Sequence, residues 1–205
     1  MKIGLIDADL LDNGTRHPNL ALMKISTYQQ KKSNIVKLLT SYEEIDNFDS
    51  IFISKVFSFT NIPAWVLKNE KVNIGGTGFF EDGGENLPYE IEHSMPDYNL
   101  YDNYISDRLE AGINPAHYSD YKDYSIGFAT RGCFRQCSFC VNKKYKKAFR
   151  HAPLAEFLDE TRKKIYLWDD NIFAFNEWET VFNELEKTGK SFQFRQGLDI
   201  RLLND

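Results

Sequence analysis

The sequence predicts an α/β protein built on parallel sheets, and three observations predict it. Short apolar strand-like runs alternate with helix-period segments over the first 76 residues, and the alternation resumes at Tyr124. The strand-like runs are followed by turn residues and polar side chains, as where Ile165–Trp168 leads into Asp169-Asp170-Asn171. Between the two series lies Glu81 to Tyr121, rich in Gly, Pro, Asn, Asp and Tyr and without a clear period. The expected organisation is a doubly wound domain over residues 1–100, an irregular linker over 101–123 and a second α/β unit over 124–205.

The elements follow in order. Lys2 to Ile6 is an apolar strand, and Asp12-Asn13-Gly14-Thr15-Arg16-His17-Pro18 is a turn. Asn19 to Lys32 reads as a helix from the spacing of Leu20, Met23, Thr27 and Tyr28. Asn34–Leu39 and Ser50–Ser54 are strands, and Ile62–Asn69 is a short helix opened by Pro63. Lys71–Ile74 is a strand that ends in Gly75-Gly76-Thr77-Gly78, a tight turn and not a dinucleotide fingerprint. One short helix is expected near Tyr101–Leu109. Ser125–Ala129 is the next strand, Pro153–Lys164 a helix with Leu154, Phe157, Leu158 and Thr161 on one face, and Ile165–Trp168 a strand. Asn176–Lys187 is a helix capped by Asn176 and closed by Gly189, and Ser191–Arg195 is the last strand.

The chain has 205 residues, 42% of them hydrophobic and 27% charged, as a globular protein has. Its formal charge of −5 is unevenly spread. Gly76 to Asp120 holds ten acidic residues against Arg108, whereas Arg131 to Lys164 holds ten Lys and Arg against Glu156, Asp159 and Glu160. Lys143, Lys144, Lys146, Lys147 and Arg150 form a basic run that could meet a phosphate-bearing partner, RNA included. With only Tyr145 and Phe149 interleaved, a solvated surface is the favoured reading over a nucleic-acid site. No apolar run reaches membrane-span length and no secretion signal opens the chain, so a cytoplasmic protein without a membrane partner is expected.

All three cysteines sit within eight residues, Cys133-Phe134-Arg135-Gln136-Cys137-Ser138-Phe139-Cys140. Three thiols cannot pair off without leaving one over, but they can hold a metal centre with one position open. The loop lies between a strand and a helix, hence at the end of a parallel strand where ligands bind. Gly132 gives the backbone room, and Arg131 and Arg135 would favour thiolates. Buried free cysteines, or a structural zinc site completed by His151 or His117, are the competing readings.

The spacing C-x3-C-x2-C with Phe139 before the last cysteine, preceded by Arg131-Gly132, resembles the radical S-adenosylmethionine (SAM) enzymes. Asp169-Asp170-Asn171 and Gln196-Gly197-Leu198-Asp199 resemble segments at later strand ends of that family, so the likeness covers roughly residues 124–205. The resemblance implies that Cys133, Cys137 and Cys140 bind a [4Fe-4S] cluster whose fourth iron takes SAM. Reductive cleavage of SAM would give a 5'-deoxyadenosyl radical that removes a hydrogen atom from a substrate the sequence does not name. Phe139 would lie near the adenine, and Asp169 or Asp170 would meet the methionine amino group. An electron donor such as flavodoxin or ferredoxin is implied as a partner. For Asp169–Asn171 a capping and turn role is the alternative, and for Gln196–Asp199 it is the favoured one.

The N-terminal domain is similar to the flavodoxin-like, cobalamin-binding domains that accompany many radical SAM enzymes, through Pro18–Lys24, Gly75-Gly76 and Leu87-Pro88…Met95-Pro96-Asp97-Tyr98. It lacks a D-x-H-x-x-G segment, so a degenerate relative is implied and cobalamin binding is not favoured. The family barrel needs about six βα units at roughly 30 residues each, more than follows Tyr124. The resemblance therefore implies the first half of a partial (β/α) barrel, and the N-terminal portion of a longer enzyme is expected. A non-catalytic metal- or cluster-binding module is the alternative.

Overall fold

The computed structural model describes residues 1–80, 83–140 and 144–203. The chain divides into two compact units, Met1–Lys122 and Asp123–Asp205.

The first unit is a four-stranded parallel sheet. Its strands are β1 (Lys2–Asp7), β2 (Ile35–Leu38), β3 (Ser50–Ser54) and β4 (Val72–Gly75), in the order β2-β1-β3-β4. Gly4 pairs with Ile51 and Ile6 with Ile53, which sets the alternation of both central strands in phase. Ile3 and Leu5 pack on one face with Leu22, Met23 and Ile25. Ile6, Ile51 and Ile53 pack on the other with Ile45, Phe48 and Val66. A sheet covered on both faces needs apolar residues at successive positions, and that is why these strands read as continuous runs.

The helices of this unit are α1 (Ala8–Asn13), α2 (Leu20–Lys31), α3 (Ala64–Leu67), α4 (Tyr89–Glu92), α5 (Asp102–Glu110) and α6 (Ser119–Lys122). Asn19 caps α2 by accepting from Leu22 N–H. The six-residue helix α1 was not expected. Asp7, the last residue of β1, caps it through Leu10 N–H, and Gly14 closes it at φ 66°. The segment 101–123 is not a linker. Tyr98, Tyr101, Ile105, Tyr118 and Tyr121 are buried in the core of the first unit, whose boundary falls after Lys122. Tyrosine looks polar in composition yet buries a large ring when its hydroxyl is satisfied. Tyr101 donates to Asp7 Oδ2 at 2.8 Å and accepts from Asn19 N–H at 2.9 Å, and Tyr121 donates to Thr15 O at 2.9 Å.

The second unit is a three-stranded parallel sheet of β5 (Tyr124–Gly127), β8 (Lys164–Leu167) and β9 (Ser191–Phe194), with β8 central. A two-residue antiparallel ladder, β6 (Thr130–Arg131) with β7 (Phe149–Arg150), stands beyond the end of β5. Helix α7 (Trp178–Lys187) buries Val181 and Leu185 in a core with Ile165, Leu167, Leu154 and Phe157. It begins two residues after the expected cap, and Asn176 does not cap it; Glu177 occupies the cap position without a side-chain bond. The expected helix 153–164 is a single 3-10 turn, Leu154–Glu156. Of the expected apolar face, Leu154 and Phe157 are buried, Leu158 is partly buried and Thr161 is exposed, and the backbone at Asp159 bonds outward. Asp159 N–H donates to Ser125 Oγ at 3.0 Å, and its carboxylate accepts from Thr161 N–H at 2.9 Å. These bonds compete with helical ones. The α/β class with parallel sheets is as expected. Among the described residues no helix is long and apolar enough to cross a membrane.

Two expectations follow. Burial raises the Asp7 carboxyl from 3.8 to about 7, against the Tyr101 and Leu10 hydrogen bonds that lower it. Its proton is held more tightly folded than unfolded, so the stability it contributes is full below pH 3.8 and is lost as the pH rises through about 7. In chemical denaturation from pH 4 to 8, Asp7→Asn should therefore gain on the wild type as the pH rises; a constant difference would refute this. At Gly127, an added Cβ would stand 2.3 Å from the Phe157 ring. Gly127→Ala should cost about 1–3 kcal/mol by overpacking, read as a lower urea midpoint for the second unit.

Candidate functional site

Every strand of the second unit's sheet runs the same way, so β5, β8 and β9 deliver their following residues to one edge. The cysteine loop leaves this edge through Ala129–Arg131 and returns along Phe149–His151. Cys133 N–H donates to Tyr145 O at 3.3 Å and His151 N–H to Ala129 O at 2.9 Å, which ties the two legs together. They approach so closely at Gly132, φ 93°, that a Cβ there would lie 2.2 Å from Lys147 O. Only glycine meets both conditions without strain. Within the loop, Gln136 takes a left-handed φ of 47°, and Cys140 N–H donates to Cys137 O at 3.0 Å, a tight turn over the last two cysteines.

The end of β8 holds this loop. Asp169 is 1% exposed. Its carboxylate accepts from Ala129 N–H at 3.0 Å, and from Thr130 N–H and Thr130 Oγ1 at 2.6 Å each. Burial raises the Asp169 carboxyl above its ordinary value while the Thr130 and Ala129 donors pull it down. Asp170 accepts from Gly132 N–H at 2.6 Å, and Arg131 Nε stands 4.0 Å from the same oxygen. Asn171 Nδ2 lies 3.6 Å from Cys133 Sγ, and Arg135 N–H lies 3.4 Å from that sulfur. Three consecutive side chains thus reach successive points of the strand-to-cysteine segment.

The segment after β9 reaches the loop as well. Asp199 accepts from Arg135 Nε at 2.8 Å and Arg201 Nε at 2.7 Å. The Arg201 hydrogen bond first, then Arg135, holds the Asp199 carboxyl down at about 2. Sequence reasoning missed this connection, because nothing in Gln196–Asp199 signals a salt bridge to a residue 64 positions earlier.

Cys133, Cys137 and Cys140 are not joined in disulfides and are partly exposed, and Phe139 is 88% exposed. Among the described residues no three Cys, His, Asp or Glu side chains converge on one ion position. A four-iron cluster takes each thiolate on a different iron, so it does not require that convergence. The expected Asp169 and Asp170 carboxylates are turned to the loop's own N–H groups. Among the described residues, Asn171 Oδ1 is a buried acceptor at this strand end without a hydrogen-bond partner, and Arg131 Nε and Trp168 Nε1 are buried donors without one. Arg131 and Arg135 lie over the rings of Phe128 and Phe134, at 4.0 and 4.9 Å. Of the basic run, Lys143 lies outside the described residues, and Arg150 is committed to Glu184 by bonds of 2.8 and 2.6 Å. No protein-family model matches the chain, and no solved structure matches it.

Asp169→Asn replaces an all-acceptor group with one that presents two donors to an N–H cluster. It should destabilise the second unit by about 1–3 kcal/mol, measured as a lower urea midpoint. An unchanged midpoint would mean that the three hydrogen bonds do not hold the loop.

Proposed function

We propose that the chain is a radical SAM protein, or the N-terminal portion of one, in which Cys133, Cys137 and Cys140 hold a 4Fe-4S cluster. The observation that carries this reading is the engagement of Asp169, Asp170 and Asn171 with the approach to Cys133. Three clustered thiols alone would fit several metals. A cysteine loop fixed by the neighbouring parallel strand end, with one cysteine sulfur facing two N–H donors, suits an anionic sulfur-ligated centre. The unpartnered buried Oδ1 of Asn171 beside it supports a cationic or N–H-bearing ligand at the same edge, since an orphan acceptor costs about 1–3 kcal/mol. The SAM ammonium is such a group.

When bound together, the cluster and SAM supply a one-electron cleavage that yields a 5'-deoxyadenosyl radical. The chain's own residues have narrower tasks. Asp169 and Asp170 set the exit path of the loop, so the cofactor-contacting role expected of them passes to Asn171. Phe139, through its backbone rather than its uncovered ring, remains the proposed adenine neighbour. The three-stranded sheet is the proposed first part of a partial (β/α) barrel. The first unit's order, β2-β1-β3-β4, supports a flavodoxin-like relative; cobalamin is not part of the proposal. A reducing cytoplasm and a flavodoxin or ferredoxin donor complete the reading, with the substrate open.

Anaerobic reconstitution with iron and sulfide tests it. The expected result is a cluster whose spectrum changes on adding SAM, and 5'-deoxyadenosine under reductant. Cys137→Ala should abolish loading. A loaded cluster indifferent to SAM would indicate a non-catalytic cluster module, and tight zinc with no iron uptake would refute both.

A further inference from the structure

Of Asp169, Asp170 and Asn171, the last differs from its neighbours in what it touches. Asp169 and Asp170 bind the backbone of the loop stem; Asn171 reaches a cysteine side chain. It is 5% exposed, and its Nδ2 is 3.6 Å from Cys133 Sγ. Its backbone is held on both sides. Asp170 is bonded to Gly132 N–H, and Ala174 N–H donates to Asn171 O at 3.0 Å in a turn that begins with the fully buried Ile172. The side chain is thus enclosed beside the sulfur between anchored neighbours. A carboxamide presents N–H donors at one end and an oxygen at the other. With Nδ2 on the sulfur, Oδ1 faces away from it, and that oxygen is the one left without a partner. An aspartate at this position would set negative charge against the sulfur.

We propose that Asn171 is a positioning residue for Cys133 that also sets the electron affinity of the iron–sulfur centre bound there. The inference rests on the cluster reading above and assigns this chain's own residue toward that centre. Reduction adds one negative charge to a cluster, part of which spreads onto its thiolate sulfurs. Hydrogen bonds to those sulfurs stabilise the reduced form and raise the potential. Two N–H groups face Cys133 Sγ, from Arg135 N and Asn171 Nδ2. The first belongs to the loop backbone and survives substitution. The second is removable.

The test is an EPR-monitored redox titration of the full chain, reconstituted anaerobically without SAM. Asn171→Ala should lower the midpoint potential by about 59 mV, a tenfold change in the one-electron equilibrium. Asn171→Asp, of the same shape, should lower it further. Asn171→Gln, which keeps the donor, should recover part of the shift. A variant that retains the wild-type circular dichroism and melting temperature but no longer loads iron also supports the proposal, provided that Gln restores loading. Equal potentials in the wild type, Ala and Asp proteins overturn the proposal and leave the cluster reading intact. A wild-type chain that takes up no iron and sulfide overturns both.

Discussion

Asp169 presents a buried carboxylate to three donors from two residues of a neighbouring strand's exit, and this contact fixes where the cysteine loop leaves the sheet. Burying a carboxylate is costly unless its lone pairs are filled. Here they are filled by Ala129 and Thr130, so the same bonds that make burial tolerable also join β8 to the path that leads from β5. Gly132 and Cys133 follow within four residues of Ala129, so a displacement of this junction moves the first cysteine directly. Asp170 and Asn171 continue the contact to Gly132 N–H and Cys133 Sγ. The Asp199 bridge to Arg135 gives the loop a second attachment, from the end of β9.

Parallel topology makes these attachments possible. With β5, β8 and β9 aligned, segments distant in sequence emerge side by side, and short polar triplets at strand ends reach a common loop without long side chains. The first unit uses its own parallel sheet in a similar way, though around a buried hydrogen-bonded group. Asp7 at the end of β1 caps α1 and accepts from Tyr101, whose hydroxyl also accepts from Asn19 at the start of α2.

Much of this was legible in the sequence. The seven main strands of the two parallel sheets coincide with the strand-like runs to within one or two residues; β1 and β8 bury successive positions, and in β9 Phe alternates with polar residues. The cysteine cluster was legible from its spacing, and its place at a strand end from the alternation around it. Other features depend on long-range contacts. The buried tyrosines between Tyr98 and Tyr121 read as linker because their rings are apolar only once their hydroxyls are satisfied. The segment after Pro153 carried a helical pattern, but bonds between Asp159 and Ser125 drew its backbone away from the helix. Asp169 and Asp170 could be read from sequence as polar residues at a strand end. Their orientation toward backbone N–H groups could not, and neither could the contact of Asn171 with Cys133.

On the proposed reading, this loop binds a cluster with one iron not held by cysteine. Mössbauer spectroscopy of the iron-57-reconstituted chain, with and without SAM, addresses it most directly. The expected spectrum has 4Fe-4S parameters in which the signal of a single iron site changes when SAM is added and the others do not. A single-iron tetrathiolate signature, or four sites unaffected by SAM at saturating concentration, would contradict it.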